Sequence, residues 1–205
     1  MKDCHVVHAR MEAQLKLSKD SSEKAVDAML YCNIIKSLRY LVHTRPDITF
    51  VVGYLSRFME APASDHLAVV KHLLRCITST LTHGCVYRRG NSKSLVGYSE
   101  SDHAGDMDSQ ESTSGILFLL GNSPVSWQSV RQKIVTASSC KAEYISAAKM
   151  ACQGIWLARL LDEMLNQDTA PALLFVDNKS AISLSKKPSA SRPQQAHRSP
   201  LSLHT

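Results

Sequence analysis

Apolar residues recur along the first half of the chain with a helical period. Met29, Leu30, Ile34, Ile35, Leu38, Leu41 and Val42 fall three and four apart, on one face of a helix beginning near Ala28. Arg45-Pro46 interrupts that run, because proline disfavours helical geometry in the residue before it. Pro46 then suits the first turn of a second helix reaching about Met59. Ala61-Pro62-Ala63 ends the second helix. Ser64 or Asp65 can cap a third, whose stripe is Leu67, Val70, Leu73, Leu74 and Ile77. Before Ala28 the sequence is polar with few periodic apolar positions and reads as an extended arm.

The rhythm then changes. Val86-Tyr87, Leu95 to Tyr98, Gly115 to Leu120, Val125 to Trp127 and Lys133 to Thr136 are short strand-like runs, separated by turn residues such as Arg89-Gly90-Asn91 and Gly121-Asn122-Ser123-Pro124. Ala142 to Leu165 carries a long helical pattern: Tyr144, Ile145, Ala148, Ala151, Ile155, Leu157, Leu160, Leu161 and Leu165. Leu173 to Val176 is a continuous apolar run, as in a strand buried on both faces. Asn178 can cap a helix from Lys179 to about Ser185. The final stretch is rich in Pro, Ser, Gln and Arg with no apolar period, which predicts a disordered tail. The expected division is an arm over 1–27, a three-helix segment over 28–82, an α/β segment over 83–187 and a tail over 188–205. Strands, a long helix, a strand and a helix predict a mixed sheet with flanking helices.

Composition narrows the class. With 44% hydrophobic and 20% charged residues in 205, the chain can bury a sizeable core and is not broadly disordered. A net charge of +6 suits a polyanion such as nucleic acid, and equally a solvated basic surface. Cys4, Cys32, Cys76, Cys85, Cys140 and Cys152 form no CxxC pair and read as reduced thiols of an intracellular protein. The N-terminus has no apolar core of signal-peptide type, and the run Ile116 to Leu120 is too short to span a bilayer, so no membrane partner is expected.

The acids carry the chemistry. Glu100 and Asp102 lie at the end of the strand starting near Leu95, Glu143 in the first turn of the long helix, and Asp177 at the end of the buried strand. Two strand ends and a helix start can converge on one rim of a sheet. Carboxylates gathered there repel one another unless a cation neutralises them. Hard oxygen ligands favour Mg²⁺ or Mn²⁺, and two such ions suit in-line displacement at phosphorus. The plainer alternatives stay open. Asp177 or Asn178 can simply cap the next helix, Glu143 can favour a helix start by electrostatics alone, and Glu100 and Asp102 can be turn acids.

Five phrases go further: SLRYLVHTRPDITFVVGYLSRFMEAP, LVGYSESDHAGD, STSGILFLLGNSPVSWQS, SSCKAEYISAA and FVDNKSAISL. In this order they resemble the Pol polyproteins of copia-type LTR retrotransposons, especially plant ones, over roughly residues 1–187. The resemblance implies a ribonuclease H-like α/β fold after a small helical remnant of reverse transcriptase. It implies catalytic and metal-binding roles for Glu100, Glu143 and Asp177, with Asp102 a neighbour able to substitute in part. It also implies Mg²⁺ or Mn²⁺ as cofactor and an RNA–DNA hybrid as substrate. The family has Asp where Glu100 stands and usually Glu where Lys141 stands. The phrase carrying its fourth acid is missing, and its polymerase aspartates belong upstream of Met1. The expected outcome is an inactive or very weak enzyme; the alternatives are a non-catalytic nucleic-acid-binding module or a product of a decayed element without function.

Nucleic-acid contact, where it occurs, falls to Arg39, Arg45, Arg57, Lys71 and Arg75 on the helices, with His72 beside them and Arg88, Arg89, Arg131, Lys133 and Lys141 extending the strip. A solvated basic face is the competing reading. Trp127 and Trp156 sit in apolar patterns and are expected in the core, and His103 is expected in a surface turn. The sequence does not set the oligomeric state.

Overall fold

The structure is a computed structural model that describes residues 7–12, 15–89 and 93–186, and the backbone of 201–204. It divides into two compact units, Met1–Cys85 with Asp106–Gln110, and Val86–Gly105 with Glu111–Thr205. Among the described residues no helix is long and apolar enough to cross a membrane.

The first unit holds α1 (Ala28–Leu41), α2 (Thr49–Leu55) and α3 (Ser64–Ser79). Asp27 caps α1 by accepting the N–H groups of Met29 and Leu30. The second helical run is shorter than its pattern predicts. Its ends, Pro46–Ile48 and Ser56–Phe58, are tighter 3-10 turns, as suits a short segment rich in β-branched residues and holding Gly53. Neither Ser64 nor Asp65 caps α3. Ala63 occupies that position, and its N–H donates to His66 Nδ1 at 3.0 Å. His66 Nε2, 3.1 Å from Ser18 O, must then be the protonated nitrogen, so the buried ring is neutral and forms no ion pair with Asp65.

The core of this unit gathers Tyr31, Ile35, Leu38, Ile48, Leu55, Val70 and Leu73. Met29 and Leu30, placed on the apolar face by periodicity, are 75% and 53% exposed. The buried stripe turns instead on Tyr31, whose hydroxyl donates to Leu55 O. The described part of the arm is tied down. Leu17 is buried among the helices, its N–H bonds to the Tyr54 hydroxyl, and Ala25 bridges Ala63.

The second unit is a mixed sheet of order β3-β2-β1-β4-β5. Its strands are β1 (Leu95–Ser101), β2 (Thr113–Leu120), β3 (Ser123–Arg131), β4 (Ala172–Val176) and β5 (Leu201–His204). The first three are antiparallel, and β1, β4 and β5 run parallel. The helices are α4 (Ser139–Leu165) and α5 (Lys179–Lys186). Two expected strands are absent. Val86-Tyr87 is too short to pair and is held by side chains instead: Ser123 Oγ donates to Val86 O and the Tyr87 hydroxyl to Pro124 O. Lys133 to Thr136 forms bends leading to α4. Conversely, part of the expected disordered tail, Leu201–His204, pairs with the open edge of β4. Backbone pairing needs no apolar period, so composition does not show it. Residues 188–200 and 205 lie outside the described residues.

Ser138 caps α4, accepting the N–H of Lys141 at 3.3 Å. The buried face of α4 is not the bulky stripe. It is Ala142, Glu143, Ser146, Met150, Gly154 and Ala158, while Tyr144, Trp156 and Leu160 are exposed. Trp156 is 59% exposed and is therefore not a core residue. The helix lies too close to the sheet for large side chains. A Cβ at Gly97 of β1 would meet Phe118 Cε1 at 2.7 Å, Leu174 Cδ2 at 2.8 Å and Met150 Sδ at 3.2 Å. Overpacking of this kind costs about 1–3 kcal/mol. Gly97→Ala should lower stability by that amount in urea unfolding of the second unit, and a change below roughly 0.5 kcal/mol, the range of ordinary surface substitutions, would contradict this packing.

Candidate active site at the sheet edge

The parallel register of β1 and β4 sets the site. Ser99 stands opposite Val176, so the next residues, Glu100 and Asp177, come level at the C-terminal ends of neighbouring strands. Both are exposed. Glu143, one residue beyond the first turn of α4 rather than within it, reaches the same edge. Its Oε1 accepts the N–H of Ser101 at 2.9 Å, and Ser146 Oγ donates to Glu100 O at 3.1 Å. The start of α4 is thereby docked on the last residues of β1.

Glu143 is 8% exposed. Burial raises its pKa above the ordinary 4.5, and the charges of Glu100 and Asp177 push it further the same way, against the lowering effect of the Ser101 N–H. Glu143 therefore feels the charges of both other acids. The three acids approach from two faces, however. Alternation along β1 puts Glu100 on the face of exposed Tyr98, whereas Gly97 and Ser99 lie on the face that packs against α4. Among the described residues no three acidic, histidine or cysteine side chains stand close enough to enclose a metal ion. The donor set nevertheless fits a hard divalent cation. It is all oxygen, two of its carboxylates are exposed, and Glu143 Oε2 is buried with no hydrogen-bond partner.

Asn178, not Asp177, caps α5, its Oδ1 accepting from Ser180 and Ala181, which leaves the Asp177 carboxylate at the edge. Asp102 points elsewhere: its carboxylate accepts the N–H of Thr113 and closes the turn between β1 and β2. His103 is exposed, as a surface turn requires.

Of the five cations assigned to phosphate, Arg39 and Lys71 are exposed and Arg75 is half-buried. Arg45 and Arg57 are not available. Arg45 is 5% exposed and forks onto Asp47 at 2.8 and 2.9 Å while bonding Thr80. Arg57 pairs with buried Asp106 at 2.9 Å and lies over the Tyr54 ring. The Arg45 partner was readable two residues along the chain; the Arg57 partner, 49 residues away, was not. Gln132, which bonds β1, β2 and α4 behind the acids, carried no sequence signal beyond its identity.

A raised carboxylate pKa in the folded state means that its contribution to stability is present below about 4.5, the unfolded value, and lost as pH rises through the folded value. Glu143→Gln, which keeps the acceptor for Ser101, should therefore unfold at a higher temperature than the parent at pH 7, with the gap closing as pH falls below 4.5. Thermal melts across that range check it; a variant less stable than the parent at pH 7 would contradict it.

No protein-family model matches the chain. Curated relatives do. The retrovirus-related Pol polyprotein from transposon RE1 of Arabidopsis thaliana is 42% identical over 173 residues, covering 84% of this chain and 12% of that protein. The corresponding polyprotein from transposon TNT 1-94 of Nicotiana tabacum is 38% identical over 193 residues, covering 91% of this chain and 14% of that one. Among solved structures, a foamy viral protease–reverse transcriptase in complex with dsDNA aligns over 90% of this chain and 38% of its own, with a TM-score of 0.47 and 14% identity. The chain spans about an eighth of the length of the two transposon polyproteins, 12% and 14%. At that identity over most of its residues, it belongs to the retrovirus-related Pol polyproteins of copia-type transposons.

Proposed function

We propose that the edge formed by β1, β4 and the start of α4 is a ribonuclease H-like site, inherited for cleaving the RNA strand of an RNA–DNA hybrid and inactive or very weak in this copy. The observation that carries this reading is the meeting of Glu100, Glu143 and Asp177 at one end of the sheet, with Glu143 fixed by the Ser101 N–H and one of its oxygens unpartnered. Mg²⁺ or Mn²⁺ held by these three acids would neutralise them and supply an activated water for attack at phosphorus.

The chain's own residues do the rest. Ser101 orients Glu143 toward the edge. Asn178 takes over the capping of α5, so the Asp177 carboxylate is left for the site. Arg39 and Lys71 remain exposed for sequence-independent phosphate contact, and a hybrid would be read by its A-form-like shape and 2′-hydroxyls.

Two features support weakness. Glu100 carries one methylene more than the Asp that the family resemblance implies at this position, and misplacing a reacting group by about 1 Å costs roughly a hundredfold. The resemblance implies a fourth acid on a helix after Asp177, and no Asp or Glu stands between Asp177 and Thr205.

The test is hydrolysis of a labelled RNA strand in an RNA–DNA hybrid, with Mg²⁺ or Mn²⁺. Glu100→Asp should cleave at least about tenfold faster than the parent, a conservative share of that hundredfold, and adding Asp177→Asn should abolish the gain. Salt-sensitive hybrid binding with no cleavage by Glu100→Asp in either metal would overturn the reading in favour of a binding module.

A further inference from the structure

We propose that Gln132 is the positioning residue of this edge, fixing both the backbone that carries Glu143 and the donor that holds its carboxylate. Gln132 is 1% exposed and follows the last residue of β3. Its own N–H donates to Ser112 O at 2.7 Å, which continues the β2–β3 pairing by one residue. Its side-chain nitrogen stands 3.1 Å from Ser101 Oγ, 2.9 Å from Ser114 Oγ and 3.0 Å from Ala142 O.

Those acceptors belong to the end of β1, the start of β2 and the first turn of α4. Two N–H groups serve three acceptors, so one is shared. Ser101 is the residue whose N–H goes to Glu143 Oε1, and Ala142 immediately precedes Glu143. One amide therefore ties down the donor and the carrier of the same carboxylate.

Packing alone does not account for this choice. Gln132 Oε1 is buried with no hydrogen-bond partner. Leucine or methionine would fill a similar volume without burying an unpaired oxygen. What glutamine offers here that leucine or methionine does not is the set of bonds from its nitrogen. Residues that orient a ligand in this way typically change metal affinity by about 10–100-fold when removed.

The part of this inference that concerns divalent cations rests on the function proposed above; the part that concerns the Ser101–Glu143 bond does not. The experiment separates them. Amide exchange at Ser101 and Mn²⁺ affinity are measured by NMR in the full chain, in Gln132→Leu, and in Phe118→Leu as a core control of similar destabilisation. Gln132→Leu should lose protection at Ser101 by at least about tenfold more than its global stability explains and weaken Mn²⁺ binding at least about tenfold. Phe118→Leu should do neither. Ser101→Ala, which keeps the N–H but removes one acceptor, should move residue 101 in the same direction and provides the reading should Gln132→Leu not fold. Unchanged protection in both Gln132→Leu and Ser101→Ala overturns the role. Lost protection in Gln132→Leu, together with a parent that binds no Mn²⁺, upholds Gln132 and overturns the metal reading instead.

Discussion

A carboxylate held almost out of water, with two further acids near it, is the constraint on which the second unit turns. Glu143 is buried by the docking of α4 on β1, and its single observed bond, from the Ser101 N–H, does not offset burial and the neighbouring charges. A structure selected for stability alone would not arrange this. The local fold maintains it by close packing: Gly97 lets the helix approach, the buried face of α4 is built of small residues, and Gln132 ties the helix start to two strands. Carboxylates perturbed in this way, by burial and by neighbouring charge, cluster at functional sites.

Several residues of the family-like phrases serve the fold rather than the chemistry. In the HTRPD phrase, Arg45 and Asp47 form a forked pair that reaches Thr80 at the end of α3. Asp106, from the AGD phrase, accepts the N–H groups of Asp108 and Ser109 with one oxygen and pairs with Arg57 through the other. Asp102 closes the β1–β2 turn. Of the acids in SESDHAGD, only Glu100 faces the edge with nothing structural assigned to its carboxylate.

Much of the architecture was legible because it depends on local pattern. Helix starts at Ala28 and Lys179, the strands around Leu95, Gly115 and Leu173, and the placing of Glu100 and Asp177 at strand ends all follow from periodicity and capping residues. What was illegible depends on partners distant in the chain. The buried face of α4 was misread because apolar bulk marks the core only where there is room for it, and here the sheet is too near. Arg57 was misread because Asp106 is 49 residues away. The strand at Leu201 was missed because pairing is a backbone property. That the acids come from two faces of β1, without forming a closed cage, follows from strand alternation and the seating of α4, and only the first is in the sequence.

On the function proposed above, the three acids share a cation at the end of β1. Crystals of the full chain grown with Mn²⁺ and measured near its absorption edge test it most directly. The expected result is an anomalous peak bonded to Glu143 Oε2 and to the carboxylate of Asp177, with Glu100 turned toward it. Ordered, empty carboxylates at this edge in saturating Mn²⁺, or a peak bound to other residues, would contradict it.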